Sequence, residues 1–208
     1  MVPATERRLR ADAVRNAERI LRAVREVYAE SGPDASIEAV AARAEVGQRT
    51  LYRRFPNKGE LVRAALDQSI AEDLAPVIER SVASPDPMRG ITEIIEAATH
   101  LGSRVHNLLI AARKADALEN IWVPLENALV ELACRAQRDG LVRTDLMPED
   151  LPRMVIMLNS VLWTMDPASD GWRRYVTLML DAISTGAPSA LPPAVPLRLG
   201  ASPASWPL

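Results

Sequence analysis

Of 208 residues, one is cysteine (Cys134), two are histidine and one is phenylalanine. A single thiol excludes an intramolecular disulfide and any multi-cysteine metal site, and the apolar helical context of Cys134 predicts a buried, inert side chain. His100 and His106 lie six residues apart, about 240° round a helix at 100° per residue, so they share no face and make no zinc site. Gly-rich phosphate loops, a G-x-S-x-G elbow and H-E-x-x-H are all missing, and with two histidines for general bases the chain is not expected to be an enzyme or to hold a metal or cofactor. Aromatics stand at 4% and alternating β-branched runs are absent, which argues against a sheet. The longest charge-free apolar run, Met154 to Met165, is too short to span a bilayer. The opening "MVPATERRLRADAV" lacks the apolar core of a signal peptide, so a cytoplasmic protein without membrane contact is expected.

Overall positive charge is also lacking: the net charge is -2 and the pI about 5.8. Its distribution is uneven. Residues 1–60 hold 12 Lys+Arg and 9 Asp+Glu, a balance of +3, while the remaining 13 basic and 18 acidic residues give -5. A polyanion would therefore meet the N-terminal part. Because 23 of the 25 basic residues are arginine, their placement is more informative than their abundance.

What is present is helical spacing. Val14, Ala17, Ile20, Leu21, Val24, Val27 and Tyr28 fall on one stripe of a first helix, with Glu18–Arg22 and Arg22–Glu26 as i,i+4 pairs opposite. "SGPDAS" ends it and offers Ser36 as N-cap of a short second helix buried through Ile37, Val40, Ala41 and Ala44. After a turn at Glu45, Val46 and Gly47, a third helix runs from Gln48 to Phe55, where Pro56 stops it. Asn57 and Glu60 make a capping box for a fourth helix through about Ser81. Further helices are predicted at roughly Met88–Thr99, Ser103–Lys114, Ala117–Arg138, Glu149–Met165 and Trp172–Thr185, about nine in all. From Gly186 on, six of the sixteen prolines and no periodicity predict a disordered tail.

On the third helix Leu51 and Phe55 form the only apolar stripe, Arg49 and Arg53 point away from it, and Gln48, Tyr52, Thr50 and Arg54 fill the flanks. Two short helices, a tight turn and long donors on the second describe a helix-turn-helix whose second helix enters the major groove. Arginine suits guanine, glutamine suits adenine, and Thr, Tyr and Lys suit phosphate oxygens. A solvated arginine face is the alternative for the same residues.

Residues 14 to 66, above all "TLYRRFPNKGELV", resemble the DNA-binding domain of the TetR family of bacterial transcriptional regulators, and "RDGLVRTDLMPEDL" and "DGWRRYVTLMLDAI" resemble its later helices. The resemblance implies an all-α fold: a three-helix helix-turn-helix domain over residues 1–58, a helical ligand-binding and dimerisation domain over 59–186, and a Pro-rich tail over 187–208. It assigns Gln48, Arg49 and Arg53 to base edges or nearby backbone, Thr50, Tyr52 and Lys58 to phosphates, and Ser36 to a phosphate at the start of the second helix. Glu45 departs from the family's turn glycine, at about 1 kcal/mol if its backbone is left-handed. Glu38 stands where some relatives place a base-reading arginine. Arg7, Arg8 and Arg10 are read as a loose terminus, with a minor-groove arm as the other possibility.

Two later helices carry more apolar surface than one helical face covers. Val155, Leu158 and Leu162, with Trp172, Tyr175, Val176, Met179, Leu180 and Ile183, are the expected interface of a homodimer. The resemblance further implies a small-molecule inducer of unknown identity, with His100, His106, Trp122, Met154, Met157 and Trp163 as candidate pocket residues. The expected function is a transcriptional repressor that binds a palindromic operator on double-stranded DNA and is released by the ligand. A helical ligand- or protein-interaction protein that has lost specific DNA binding is the competing reading.

Overall fold

The computed structural model describes residues 4–166, 169–187 and 189–196, with side chains from Arg15 onward except Trp163. The described residues form ten α-helices and no strand: α1 (Ala4–Ser31), α2 (Ile37–Arg43), α3 (Gln48–Arg54), α4 (Lys58–Ser69), α5 (Ala75–Val82), α6 (Pro87–Arg104), α7 (His106–Lys114), α8 (Val123–Arg138), α9 (Asp150–Val161) and α10 (Trp172–Ile183). The chain divides into two compact bodies, residues 1–71 with 104–121, and residues 72–103 with 122–208. The first body thus takes in α4 and α7 in addition to the three helices read as the helix-turn-helix domain.

In the first body the stripe of α1 is buried as the spacing predicts, through Ile20, Ala23, Val24, Val27 and Tyr28. Gly32, at φ +83, ends the helix by donating its N–H to the Tyr28 carbonyl at 3.1 Å, a left-handed cap that glycine adopts without strain. Both caps read from sequence form: Ser36 Oγ accepts from Ala39 N (3.1 Å), and Asn57 Oδ1 accepts from Glu60 N (2.8 Å) while its Nδ2 donates to Glu60 Oε1 (3.0 Å). The i,i+4 pairs of Arg22 do not form. Glu26 turns instead to Arg43 of α2, whose guanidinium donates to Glu26 (3.1 Å) and, in a two-pronged bond, to Glu30 (3.0 and 2.6 Å). These bonds hold the Glu30 carboxyl below its ordinary range and raise the Arg43 pKa. The helix α7 closes this body by burying Leu108, Ala111 and Ala112, with Asn107 Nδ2 donating to the Tyr28 carbonyl at 3.0 Å.

Helix α1 begins at Ala4, so Arg7, Arg8 and Arg10 lie on helical backbone rather than in a loose arm; their side chains are outside the described residues. The fourth helix is not one helix to Ser81 but α4, a π-helical turn (Ile70–Leu74) and α5. Pro76 gives the reason. It has no N–H for the Glu72 carbonyl, so regular i→i-4 bonding cannot run through this point. Likewise α8 starts at Val123 instead of Ala117, because Asp116 (φ +54) and Asn120 (φ +59) turn the chain and Pro124 suits only a first helical turn.

The second body buries Ile91, Ile94, Ile95, Ala98 and Leu101 of α6 with Leu125, Leu129 and Leu132 of α8. Val155 and Leu158 of α9 and Trp172, Val176, Met179 and Ile183 of α10 complete its core. Six positions expected at a dimer interface are therefore packed within their own chain. Apolar periodicity identifies a face that needs cover without saying whose atoms supply it. Tyr175 is exposed, and Leu162 and Leu180 are half-buried. The large apolar side chains open to solvent on these helices are Ile156 (67%), Met157 (59%), Leu178 (43%) and Tyr175 (37%).

Two further expectations are corrected. Cys134 is exposed, since the buried stripe of α8 (Leu125, Ala128, Leu129, Leu132, Ala136) leaves position 134 on the other side. Residues 189–196 of the expected disordered tail run back along α10: Ser189 N and Oγ donate to Asp181 (both 2.9 Å), Arg174 donates to the Pro192 carbonyl (2.8 Å), and Val195 covers Gly171.

Candidate nucleic-acid interface

The interface is built on a turn that the backbone fixes closely. Glu45 N donates to the Ala42 carbonyl (3.1 Å) and Val46 N to the Ala41 carbonyl (3.0 Å), closing α2 with Glu45 at φ +52. The strained position read from sequence is therefore real, while Gly47 is extended (φ -69, ψ 143) and caps α3 with no side chain. Leu51 is fully buried and Phe55 nearly so, and these two side chains alone dock α3. A seven-residue helix has too few internal hydrogen bonds to persist in water, so this docking defines its orientation.

The rest of α3 projects outward. Gln48, Arg49, Tyr52, Arg53 and Arg54 are exposed and Thr50 half-buried, and none makes a side-chain hydrogen bond or ion pair within the described residues. Elsewhere arginines are mostly engaged, as Arg43 with Glu26 and Glu30, Arg63 with Asp67, and Arg143 with Asp145. On α3 the charge is left for something outside the chain.

Lys58 and Ser36 have internal duties as well. The Lys58 ammonium donates to the Ala35 carbonyl (3.1 Å) and lies 5.6 Å from the Tyr28 ring centre, tying α4 to the entry of α2. Ser36 caps α2 through its oxygen and keeps a hydroxyl proton to donate. Glu38 is exposed in the first turn of α2. One feature escaped the sequence reading: a cleft of about 780 Å³ where α1 passes the turn and α3, lined by Arg15, Asn16, Arg19, Glu45, Thr50 and Arg53 among others. The i,i+4 spacing of Arg15 and Arg19 opposite the apolar stripe of α1 was the available signal.

Residues 20–65, which span α2, the turn and α3, match the family model described as bacterial regulatory proteins, tetR family. This segment is a TetR-family DNA-binding domain. The chain is a DNA-binding transcriptional regulator. A search of the curated proteins finds no significant match. Among solved structures, a TetR transcriptional regulator from Streptomyces coelicolor is 26% identical, covering 84% of this chain and 99% of that one with a TM-score of 0.57. The regulator FadR from Bacillus subtilis, in complex with stearoyl-CoA, is 17% identical, covering 82% of this chain and 98% of that one with a TM-score of 0.67. NalD, the secondary repressor of the MexAB-OprM multidrug efflux pump in Pseudomonas aeruginosa, is 20% identical, covering 84% and 98% respectively with a TM-score of 0.61.

The candidate ligand residues are divided between the two bodies. His106 belongs to the first body, where burial pushes its pKa down to about 4. His100 is exposed in the second, 6.5 Å from the Trp172 ring centre. Met157 is exposed, Trp122 and Met154 are half-buried, and the Trp163 side chain lies outside the described residues. Among the described residues there is no group of three or more His, Cys, Asp or Glu able to hold a metal, and no helix long and apolar enough to cross a membrane.

Proposed function

We propose that this TetR-family regulator is a cytoplasmic homodimeric repressor that reads a palindromic operator through α3 and leaves it when a small molecule binds. The observation that carries the reading is the unpaired donor face of α3, held in place by Leu51 and Phe55. Gln48, Arg49 and Arg53 face base edges, where arginine reads guanine and glutamine reads adenine; Thr50, Tyr52, Lys58 and Ser36 hold phosphates. The second and third donors of Lys58 serve this purpose while the first stays on Ala35.

Dimerisation uses the stripes that remain open, Ile156 and Met157 on α9 and Tyr175 and Leu178 on α10, rather than the buried positions beside them. A twofold axis sets two copies of α3 against half-sites about one helical turn, ~34–36 Å, apart. Ligand response rests on the family fold, and the acyl-CoA held by the Bacillus subtilis relative supports a small-molecule site in the second body. A ligand that prefers a conformer with wrongly spaced α3 helices weakens DNA binding by its differential affinity, typically ~1–3 kcal/mol.

Selection of bound duplexes from a random pool tests the proposal. A palindromic consensus is expected, with Arg49→Ala costing ~1–3 kcal/mol mainly at one base pair and Tyr52→Phe weakening all sequences alike. Failure of folded protein to enrich any motif at low ionic strength would refute the operator reading.

A further inference from the structure

The cleft beside α3 is lined by side chains of both α1 and α3. It brings Arg15 and Arg19 from α1 to face Thr50 and Arg53 from α3, with Glu45 as the acidic residue on its wall. The Arg19 guanidinium donates one N–H to Asn16 Oδ1 (3.1 Å), which orients the group while leaving most of its fork available. Arg53 has no partner among the described residues. Three guanidinium groups against one carboxylate make a polar, anion-seeking concavity, and guanidinium geometry matches phosphate oxygens in pairs.

We propose that this cleft is a phosphodiester-binding subsite for duplex DNA, in which Arg15 and Arg19 grip the backbone beside the half-site and Glu45 restrains that grip. The inference rests on the DNA-binding reading above. Because Thr50 and Arg53 belong both to the cleft and to the helix that faces the groove, a duplex docked on α3 brings its backbone to this mouth. Arg15 and Arg19 are separated by about 6 Å along α1, while one strand presents a phosphate every ~3.4 Å of the duplex axis. The pair therefore spans about two phosphates. Glu45 opposes them. Its left-handed backbone is strained where glycine would be relaxed, and its carboxylate, on the wall of the cleft, repels phosphate.

The test uses the full chain, a duplex carrying the selected consensus, and an unrelated duplex of equal length, with anisotropy titrations at several salt concentrations. The double variant Arg15→Gln/Arg19→Gln is expected to bind both duplexes more weakly by the same factor. Its slope of log K against log salt becomes shallower by about 0.9 for each phosphate that the variant no longer neutralises. Glu45→Gln is expected to shift both duplexes the other way, with tighter binding. An unchanged affinity and slope in the double variant, a loss confined to the consensus duplex, or weaker binding by Glu45→Gln each overturns the subsite while leaving the α3 reading intact. If the double variant does not fold, the sign of the Glu45→Gln effect decides. Wild-type protein that binds neither duplex overturns both readings.

Discussion

Replacing Gly102 by alanine should change sign with the residue at position 159. Gly102 is buried in α6, and a Cβ there would run into Asn159 Oδ1 of α9, far inside any contact real atoms make. Asn159 is not free to retreat, because its Nδ2 donates to the Val155 carbonyl at 3.0 Å while Oδ1 has no hydrogen-bond partner among the described residues. In the wild-type background Gly102→Ala gains about 1 kcal/mol of helix propensity. It also costs ~1–3 kcal/mol of overpacking and, when Asn159 swings away, ~0.5–1.5 kcal/mol for the broken hydrogen bond. The net is a destabilisation of about 0.5–3.5 kcal/mol. In an Asn159→Ala background the obstacle is gone, and the same substitution should stabilise by up to about 1 kcal/mol. Urea unfolding of the four proteins of the double-mutant cycle should return a coupling of about 1.5–4.5 kcal/mol. Equal destabilisation by Gly102→Ala in both backgrounds would show that Asn159 is not what glycine accommodates.

Glu45→Gly should raise the melting temperature: relief of a left-handed backbone is worth about 1–2 kcal/mol, offset by ~0.4–1 kcal/mol of extra chain entropy in the unfolded state, and Glu45→Ala should show no such gain. An equal rise in Glu45→Ala would assign the effect to charge. His106 predicts a pH dependence with a definite sign. The unfolded chain takes up its proton near 6.5 and the folded chain only near 4, so the neutral ring contributes stability fully above pH 6.5, and this contribution is lost as pH falls towards 4. The melting temperature of His106→Asn should accordingly fall less than that of the wild type between pH 6.5 and 4; parallel curves would contradict the burial argument.

The helix-turn-helix was legible because its signals are local. Ser36 and Asn57 cap the next helix within three residues, and the Leu51–Phe55 pair names the docked face of α3 from spacing alone. Long-range partners were not. Arg22 had two acidic neighbours at helical spacing, yet Glu26 bonds to Arg43, seventeen residues away. In α9 and α10, apolar spacing marked Val155, Leu158, Trp172, Val176, Met179 and Ile183 as needing cover, and α6 and α8 belong to the same core. Residues exposed on those helices, Ile156, Met157 and Leu178, carry the same apolar chemistry, so hydropathy could not separate the two sets. Pro76 and Pro124 were visible, but their effect depends on which carbonyl would otherwise be left unpaired.

The docking of α3 by Leu51 and Phe55 alone has a consequence for how such a protein changes over generations. Five of the seven residues of α3 are exposed and one is half-buried, so substitutions there leave the folded state nearly untouched while they alter what is recognised. A lineage can thus redirect the regulator to a new operator in single steps without passing through unstable intermediates.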